Sequence, residues 1–229
     1  MAAYQAAVGL DSLDRAARTN LANLLYEQAA SVSRAGDGAD AQALLERAAS
    51  EYRRVLSQDP EYREALANLG NVYLAMGRTA AAAAQYRRAV EVDPNFGDGF
   101  YNLGRLYLQE GQYPSAAPLL ERAALLQPDL AEGHFALGSA RALMGDLAGA
   151  LGPFRQACRL APGELAYLYN LAEVLLQLSA AAPAAGASTA DLRREARSAY
   201  ERVAAMDPGY RRVQERLQYL RRAGEVADP

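Results

Sequence analysis

Apolar residues recur three to four positions apart along most of the chain, in short runs broken by Gly or Pro. Between Arg63 and Pro94, Leu66, Leu69 and Tyr73 share one helical face, and Ala82, Tyr86 and Ala89 share another. The segment is therefore predicted to form two amphipathic helices. Gly77 and Arg78 punctuate the pair, and Pro94 cannot continue the second helix, so it ends there. The pattern then repeats. Pro60, Pro94, Pro128 and Pro162 stand 34 residues apart, and the segments between them align without gaps. Leu69, Leu103 and Leu137 fall in register, each followed by Gly70, Gly104 or Gly138. Gly77, Gly111 and Gly145 follow, then Ala82, Ala116 and Ala150, then Tyr86, Leu120 and Phe154, then Ala89, Ala123 and Ala157.

Small residues at Gly70 and Ala82 let the two backbones of a pair approach, while the large residues fill the space beside them. One pair cannot bury its apolar face alone; the next pair covers it. This tandem, multi-position pattern resembles the tetratricopeptide repeat (TPR), a pair of antiparallel helices about 34 residues long, in the solenoid form common in bacterial proteins. The resemblance implies an all-α fold, a right-handed superhelical α-solenoid of antiparallel helix pairs, with the first helix of each pair lining the concave side.

The register divides the chain into a half-repeat or cap over 1–14, an enlarged unit over 15–62, three regular units over 63–96, 97–130 and 131–164, a second enlarged unit over 165–210, and a capping helix and tail over 211–229. In the first enlarged unit Asn20, Leu21 and Ala22 open the pattern, and Gly36, Asp37 and Gly38 break it before a long helix ending at Asp59-Pro60. In the second, the surplus centres on Ala181 to Ser188, an Ala/Pro/Gly-rich stretch expected to be an exposed loop, with Ser188 or Thr189 capping the next helix. Tyr4 to Asp11 resembles Tyr86 to Asp93, so the chain starts inside a repeat, as part of a longer protein or as an N-terminal cap. Near the other end Tyr210, Val213, Leu217 and Leu220 make one apolar stripe beneath Arg211, Arg212, Arg216, Arg221 and Arg222. That pattern suits a solvating cap, with contact to RNA or an anionic surface as the alternative.

Composition narrows the chemistry. The 229 residues carry 24 basic and 27 acidic groups for a net charge of -3, which gives no whole-chain attraction to nucleic acid or anionic membranes. No apolar run reaches the roughly 20 residues a membrane span needs, and Met1 to Leu10 lacks the basic residues of a secretory leader, so a cytoplasmic location is expected, or a periplasmic one if the native N-terminus lies elsewhere. Every basic residue is Arg; without Lys there is no Walker-type phosphate loop and no Schiff-base chemistry. One His and one Cys cannot furnish a typical zinc site. No cofactor, no metal and no enzyme activity are expected. His134, in the slot of Leu66 and Phe100, and Cys158 read as packing residues.

The resemblance places ligands on residues flanking the Leu-Gly pair. Before the Leu stand Asn20, Asn68, Asn102 and Asn170, with Ala136 the exception. Their amides offer donor and acceptor to a peptide backbone, and the row is similar to the asparagine ladder of O-GlcNAc transferase repeat domains; the alternative is that they are simply solvated. Four contacts of about 1 kcal/mol each give only modest affinity, about millimolar by themselves, and roughly micromolar binding is expected of the whole groove. After the pair stand Asn23, Asn71, Arg105, Ser139 and Glu173. Tyr101, Phe135 and Tyr169 form an aromatic row, either anchoring apolar ligand groups or packing on the neighbouring first helix. Glu64, Asp98, Glu132 and Glu173 make this face mildly acidic, with Arg105 the counterweight; the clamp that holds acidic chaperone tails needs Lys and Arg that are not there. The expected function is a scaffold that binds an extended, non-acidic peptide or helix of another protein. The alternatives are an assembly subunit of a secretion, pilus or envelope complex, or self-association, so the oligomeric state stays open.

Overall fold

The structure, a computed structural model, describes residues 15–181 and 189–225. The N-terminal half-repeat, residues 182–188 of the Ala/Pro/Gly loop and the last four residues lie outside it. Within the described residues there are eleven helices and no strand: α1 (Arg15–Arg34), α2 (Gly38–Gln58), α3 (Arg63–Ala75), α4 (Thr79–Val92), α5 (Gly97–Gln109), α6 (Tyr113–Leu126), α7 (Ala131–Leu143), α8 (Leu147–Leu160), α9 (Leu165–Ala181), α10 (Thr189–Met206) and α11 (Val213–Glu225). The chain resolves into two compact units, Met1–Leu106 and Tyr107–Pro229.

Each first helix whose end is described closes in the same way. Gly36, Gly77, Gly111 and Gly145 have φ between +72° and +93°, a conformation that L side chains resist. The residue after each reverses the chain: the Arg78 N–H reaches the Tyr73 carbonyl at 2.8 Å, Gln112 reaches Tyr107 at 2.8 Å, and Asp146 reaches Arg141 at 2.9 Å. Asp37 and Asp146 then cap the following helices through Asp40 N–H at 3.2 Å and Gly149 N–H at 2.8 Å. At the unit ends, Asp93 and Asp207 accept from the backbone N–H two residues on, fixing the turn around the proline.

Unit 1 packs its core from α1, α2 and α3 around Leu21, Leu25, Tyr52, Val55 and Leu69. Unit 2 packs Phe154, Leu168, Leu175, Tyr200 and Val203 with Val213, Leu217 and Leu220 of α11, so the apolar stripe of the last helix is buried. The glycines after Leu69 and Leu137 are required by sterics: a Cβ on Gly70 would lie 2.5 Å from the Tyr86 ring, and one on Gly138 would lie 2.8 Å from Phe154.

The first enlarged pair grows by whole helical turns. α1 and α2 have 20 and 21 residues against 13 and 14 in α3 and α4; α9 and α10 have 17 and 18 against 13 and 14 in α7 and α8. Seven extra residues on each helix of the first pair are nearly two turns, so that addition keeps its phase, while α9 and α10 are each at least four residues longer within the described residues. Ala29 and Ala41, both buried, carry the core toward the tip of the first hairpin.

Two second helices contain proline, which leaves a carbonyl four residues back without its donor. For Pro153 that carbonyl is Gly149, and Arg141 of α7 donates to it from Nη1 at 3.1 Å. Carbonyls of the boundary prolines are also taken up: Pro60 by Arg88 at 3.1 Å, Pro162 by Arg202 at 3.2 Å, and Pro128 by His134 Nε2 at 2.9 Å.

Candidate functional site

All twelve expected site residues lie on first helices: Asn20 and Asn23 on α1, Asn68 and Asn71 on α3, Tyr101, Asn102 and Arg105 on α5, Phe135 and Ser139 on α7, and Tyr169, Asn170 and Glu173 on α9. Asn20 is exposed; Asn23, Asn68, Asn71, Tyr101, Asn102 and Arg105 are half-buried.

In unit 1 the residues after the Leu-Gly position hold tyrosines of the second helices. Asn23 Oδ1 accepts from the Tyr52 hydroxyl and, at 3.4 Å, from Asn68 Nδ2. Asn71 Oδ1 accepts from the Tyr86 hydroxyl at 2.7 Å. Burial pushes the Tyr86 phenol up to about 12, opposed by the nearby Arg105 cation, and burial raises Tyr52 in the same direction. The Arg105 guanidinium sits 5.8 Å from the centre of the Tyr101 ring, and its buried Nε has no acceptor among the described residues.

In unit 2 Glu173 is the hub. It accepts from the Tyr200 hydroxyl at 2.7 Å and from Arg216 of α11 through Nε at 2.7 Å and Nη2 at 2.9 Å. The bidentate geometry fixes α11 on α9 and neutralises a carboxylate that sequence reasoning counted toward an acidic face. Burial raises the Tyr200 phenol, and its bond to the Glu173 carboxylate raises it further. Tyr169 is buried, with Tyr200 and Tyr210 edge-on at 5.6 Å and 5.8 Å and the Arg211 guanidinium over it at 4.9 Å. Phe135 stacks on Tyr167 of the next first helix at 4.5 Å and meets Phe154 at 5.6 Å. Ser139 donates to the Phe135 carbonyl at 2.8 Å, and Asn170 Nδ2 donates to Ala166 at 2.7 Å.

Ser139, Asn170 and Glu173 come together on one cleft of about 340 Å³ between α7, α8 and α9, with Leu147, Phe154 and Val174 as apolar lining. A second cleft, about 230 Å³, lies between the lengthened ends of α1 and α2 and Ala75 of α3, lined by Tyr26, Ala29 and Leu45. Among the described residues no group of three His, Cys, Asp or Glu side chains converges as metal ligands, and no helix is long and apolar enough to cross a membrane.

The tyrosine donors were missed from sequence, although their signal was present. Tyr52, Tyr86 and Tyr200 belong to the pairs carrying Asn23, Asn71 and Glu173, whereas Leu120 and Phe154, which have no hydroxyl, accompany Arg105 and Ser139. An acceptor stands where a hydroxyl needs one.

Comparison with known proteins places this geometry in context. The chain is similar to YrrB, described as a TPR protein with an unusual peptide-binding site, at 24% identity over 91% of this chain and 94% of that one, with a TM-score of 0.65. It is similar to PilF of Pseudomonas aeruginosa at 20% identity over 92% and 87%, TM-score 0.67, and to MamA at 21% over 76% and 94%, TM-score 0.62. No curated protein matches by sequence. These identities establish the fold alone. Sequence models of the tetratricopeptide repeat match residues 2–95 and 101–164, and with the stacked helix pairs they show that the chain belongs to the TPR family, whose members generally mediate protein–protein interactions.

Proposed function

We propose that this protein is a non-enzymatic scaffold in the cytoplasm that binds an extended, non-acidic peptide or helix of another protein along its first helices. The observation that carries the reading is the unit 2 cleft, where Ser139 and Asn170 border an apolar lining of Leu147, Phe154 and Val174. Such a surface offers backbone-directed polar groups beside room for apolar side chains. Asn170 spends its Nδ2 on Ala166 and keeps Oδ1 as an acceptor for a peptide N–H. YrrB, of the same fold, is described as carrying a peptide-binding site, which makes peptide capture a reasonable use of these repeats.

Asn68, Asn102 and Asn170 test the reading. Replacing the three by Ala is expected to weaken capture of the partner at least tenfold, with helicity and melting unchanged; undiminished capture overturns it. Self-association is the second reading, favoured by Leu143 and Met144, which are 57% and 48% exposed at the edge of this region. Light scattering across concentration separates the two, since an oligomer that covers the cleft leaves it closed to a peptide.

A further inference from the structure

We infer that the cleft between α7, α8 and α9 is a subsite for one lysine side chain of the partner. The inference rests on the peptide-binding reading and names the residue type that this cleft selects.

Ala142, Leu143, Leu147, Phe154 and Val174 supply the apolar lining, so the group that enters has an aliphatic body. At about 340 Å³ the cleft is at the small end of ligand pockets and suits a single side chain rather than a docked helix. Its polar lining is rich in acceptors. The Ser139 hydroxyl spends its one donor on the Phe135 carbonyl at 2.8 Å, which leaves the lone pairs of Oγ. Asn170 Nδ2 is held by the Ala166 carbonyl of its own helix at 2.7 Å, which leaves Oδ1 to accept. That oxygen has two lone pairs, enough for a peptide N–H and a second donor.

Glu173 stands three residues beyond Asn170, on the same face of α9. Among the described residues lining the cleft it alone is charged. Arg216 grips it from α11 through Nε at 2.7 Å and Nη2 at 2.9 Å but does not line the cleft, so the ion pair turns its negative end toward the cavity. Acceptor oxygens, a carboxylate and an apolar wall together match an alkyl chain that ends in a cation.

Lysine fits these groups better than arginine. A guanidinium binds most strongly as a fork on both oxygens of one carboxylate, and Arg216 already occupies both Glu173 oxygens. An ammonium is a compact charge whose three donors can be divided among separate oxygens on α7 and α9. All 24 basic residues of this chain are Arg, so a second copy has no lysine to place here.

Full-length protein labelled with ¹⁵N would be titrated with N-acetyl-lysine methylamide, N-acetyl-arginine methylamide and N-acetyl-norleucine methylamide, which keeps the lysine stem and lacks the ammonium. The backbone amides of Ser139 and Val174 and the side-chain amide of Asn170 report binding. The lysine probe is expected to saturate at about tenfold lower concentration than norleucine, the worth of a hydrogen bond to a charged group, and at lower concentration than arginine. Glu173→Gln removes the charge and is expected to abolish the preference over norleucine. Should loss of the Arg216 contact unfold that variant, Ser139→Ala, which gives up only a bond within its own helix, is expected to weaken lysine binding about fivefold and leave norleucine unchanged. Equal saturation by lysine and norleucine, arginine saturating at the same or lower concentration than lysine, no saturable shift with any probe, or a lysine preference undiminished in either folded variant overturns the proposal. The probes contain no partner peptide, so failure here leaves the wider binding reading to the Asn68, Asn102 and Asn170 substitutions.

Discussion

Replacing Gly138 by Ala would add one methyl group against Phe154, and the outcome follows from which of two opposed effects is larger. The new Cβ would lie 2.8 to 2.9 Å from Cδ1, Cε1 and Cγ of the ring, distances that real Cβ atoms essentially never show. Phe154 is 1% exposed and lies against Phe135 at 5.6 Å, so its ring can give way only on the side that lines the cleft. Forcing a methylene into a packed core costs about 1–3 kcal/mol. Alanine recovers about 1 kcal/mol over glycine inside a helix. Three ring carbons under 3.0 Å put the cost in the upper half of that range, so the net is destabilisation of about 1–2 kcal/mol, or a Tm lower by about 2–8 °C for a chain of this size. Gly152, on the adjoining helix α8, has nothing within 4 Å of an added Cβ beyond its chain neighbours, but it precedes Pro153, whose ring crowds a Cβ there, so Gly152→Ala is expected to raise Tm by less than the about 2–4 °C that the glycine penalty alone would give. Thermal melts followed by circular dichroism provide the comparison, and hydrogen exchange of the α7 and α8 amides locates the change in a repeat array whose units need not melt together. A Gly138→Ala protein that melts at or above the wild-type temperature refutes the close-approach argument.

Three further outcomes are expected. Arg141→Ala is predicted to destabilise by about 1–2 kcal/mol, because the Gly149 carbonyl loses its donor; in a Pro153→Ala background, where the backbone N–H returns, the same change should cost less, and a double-mutant cycle by urea unfolding should show a coupling near 1 kcal/mol. Tyr86→Phe should cost about 1 kcal/mol, as the Asn71 oxygen loses a neutral donor, and Tyr200→Phe about 1.5–3 kcal/mol, as the Glu173 carboxylate loses one of its three bonds; equal losses would contradict the charge-assisted assignment. Burial raises the Cys158 thiol to about 11, so the unreactive protonated form dominates below that pH; alkylation by iodoacetamide at pH 8, read by mass spectrometry, should be at least tenfold slower in native than in urea-unfolded protein, and equal rates would contradict the burial.

The architecture was legible because its cause is periodic. Helix pairs need apolar residues every three to four positions, a left-handed residue at each turn and a proline at each boundary, and Leu69, Gly77 and Pro94 state all three in sequence. The site was legible only as an address. The twelve candidate residues lie on first helices, but what each side chain does depends on neighbours 15 to 45 positions away. Asn71 and Glu173 looked like outward-facing groups until the second-helix tyrosines supplied their partners. For Phe135 and Tyr169 the sequence left open a ligand-facing stripe or packing on the neighbouring first helix; Tyr167 and Arg211, which lie against them, have no identical counterpart at the matching place in the other regular units and so gave no periodic trace by which to choose.

The whole-turn lengthening of the first hairpin implies a rule for how this chain tolerates insertion. Stacking surfaces are indexed from the proline boundaries, whereas in α1 and α2 the surplus residues enter at the turn inside the pair, seven on each helix. Size is therefore quantised at these tips: a graft of one or two turns on each arm preserves the seam with the neighbouring pair, while an odd residue on one arm rotates every side chain beyond it by about 100° and breaks the seam. The tips of α1 and α2 are accordingly where a foreign epitope or reporter helix can be installed with the least disturbance to the rest of the array.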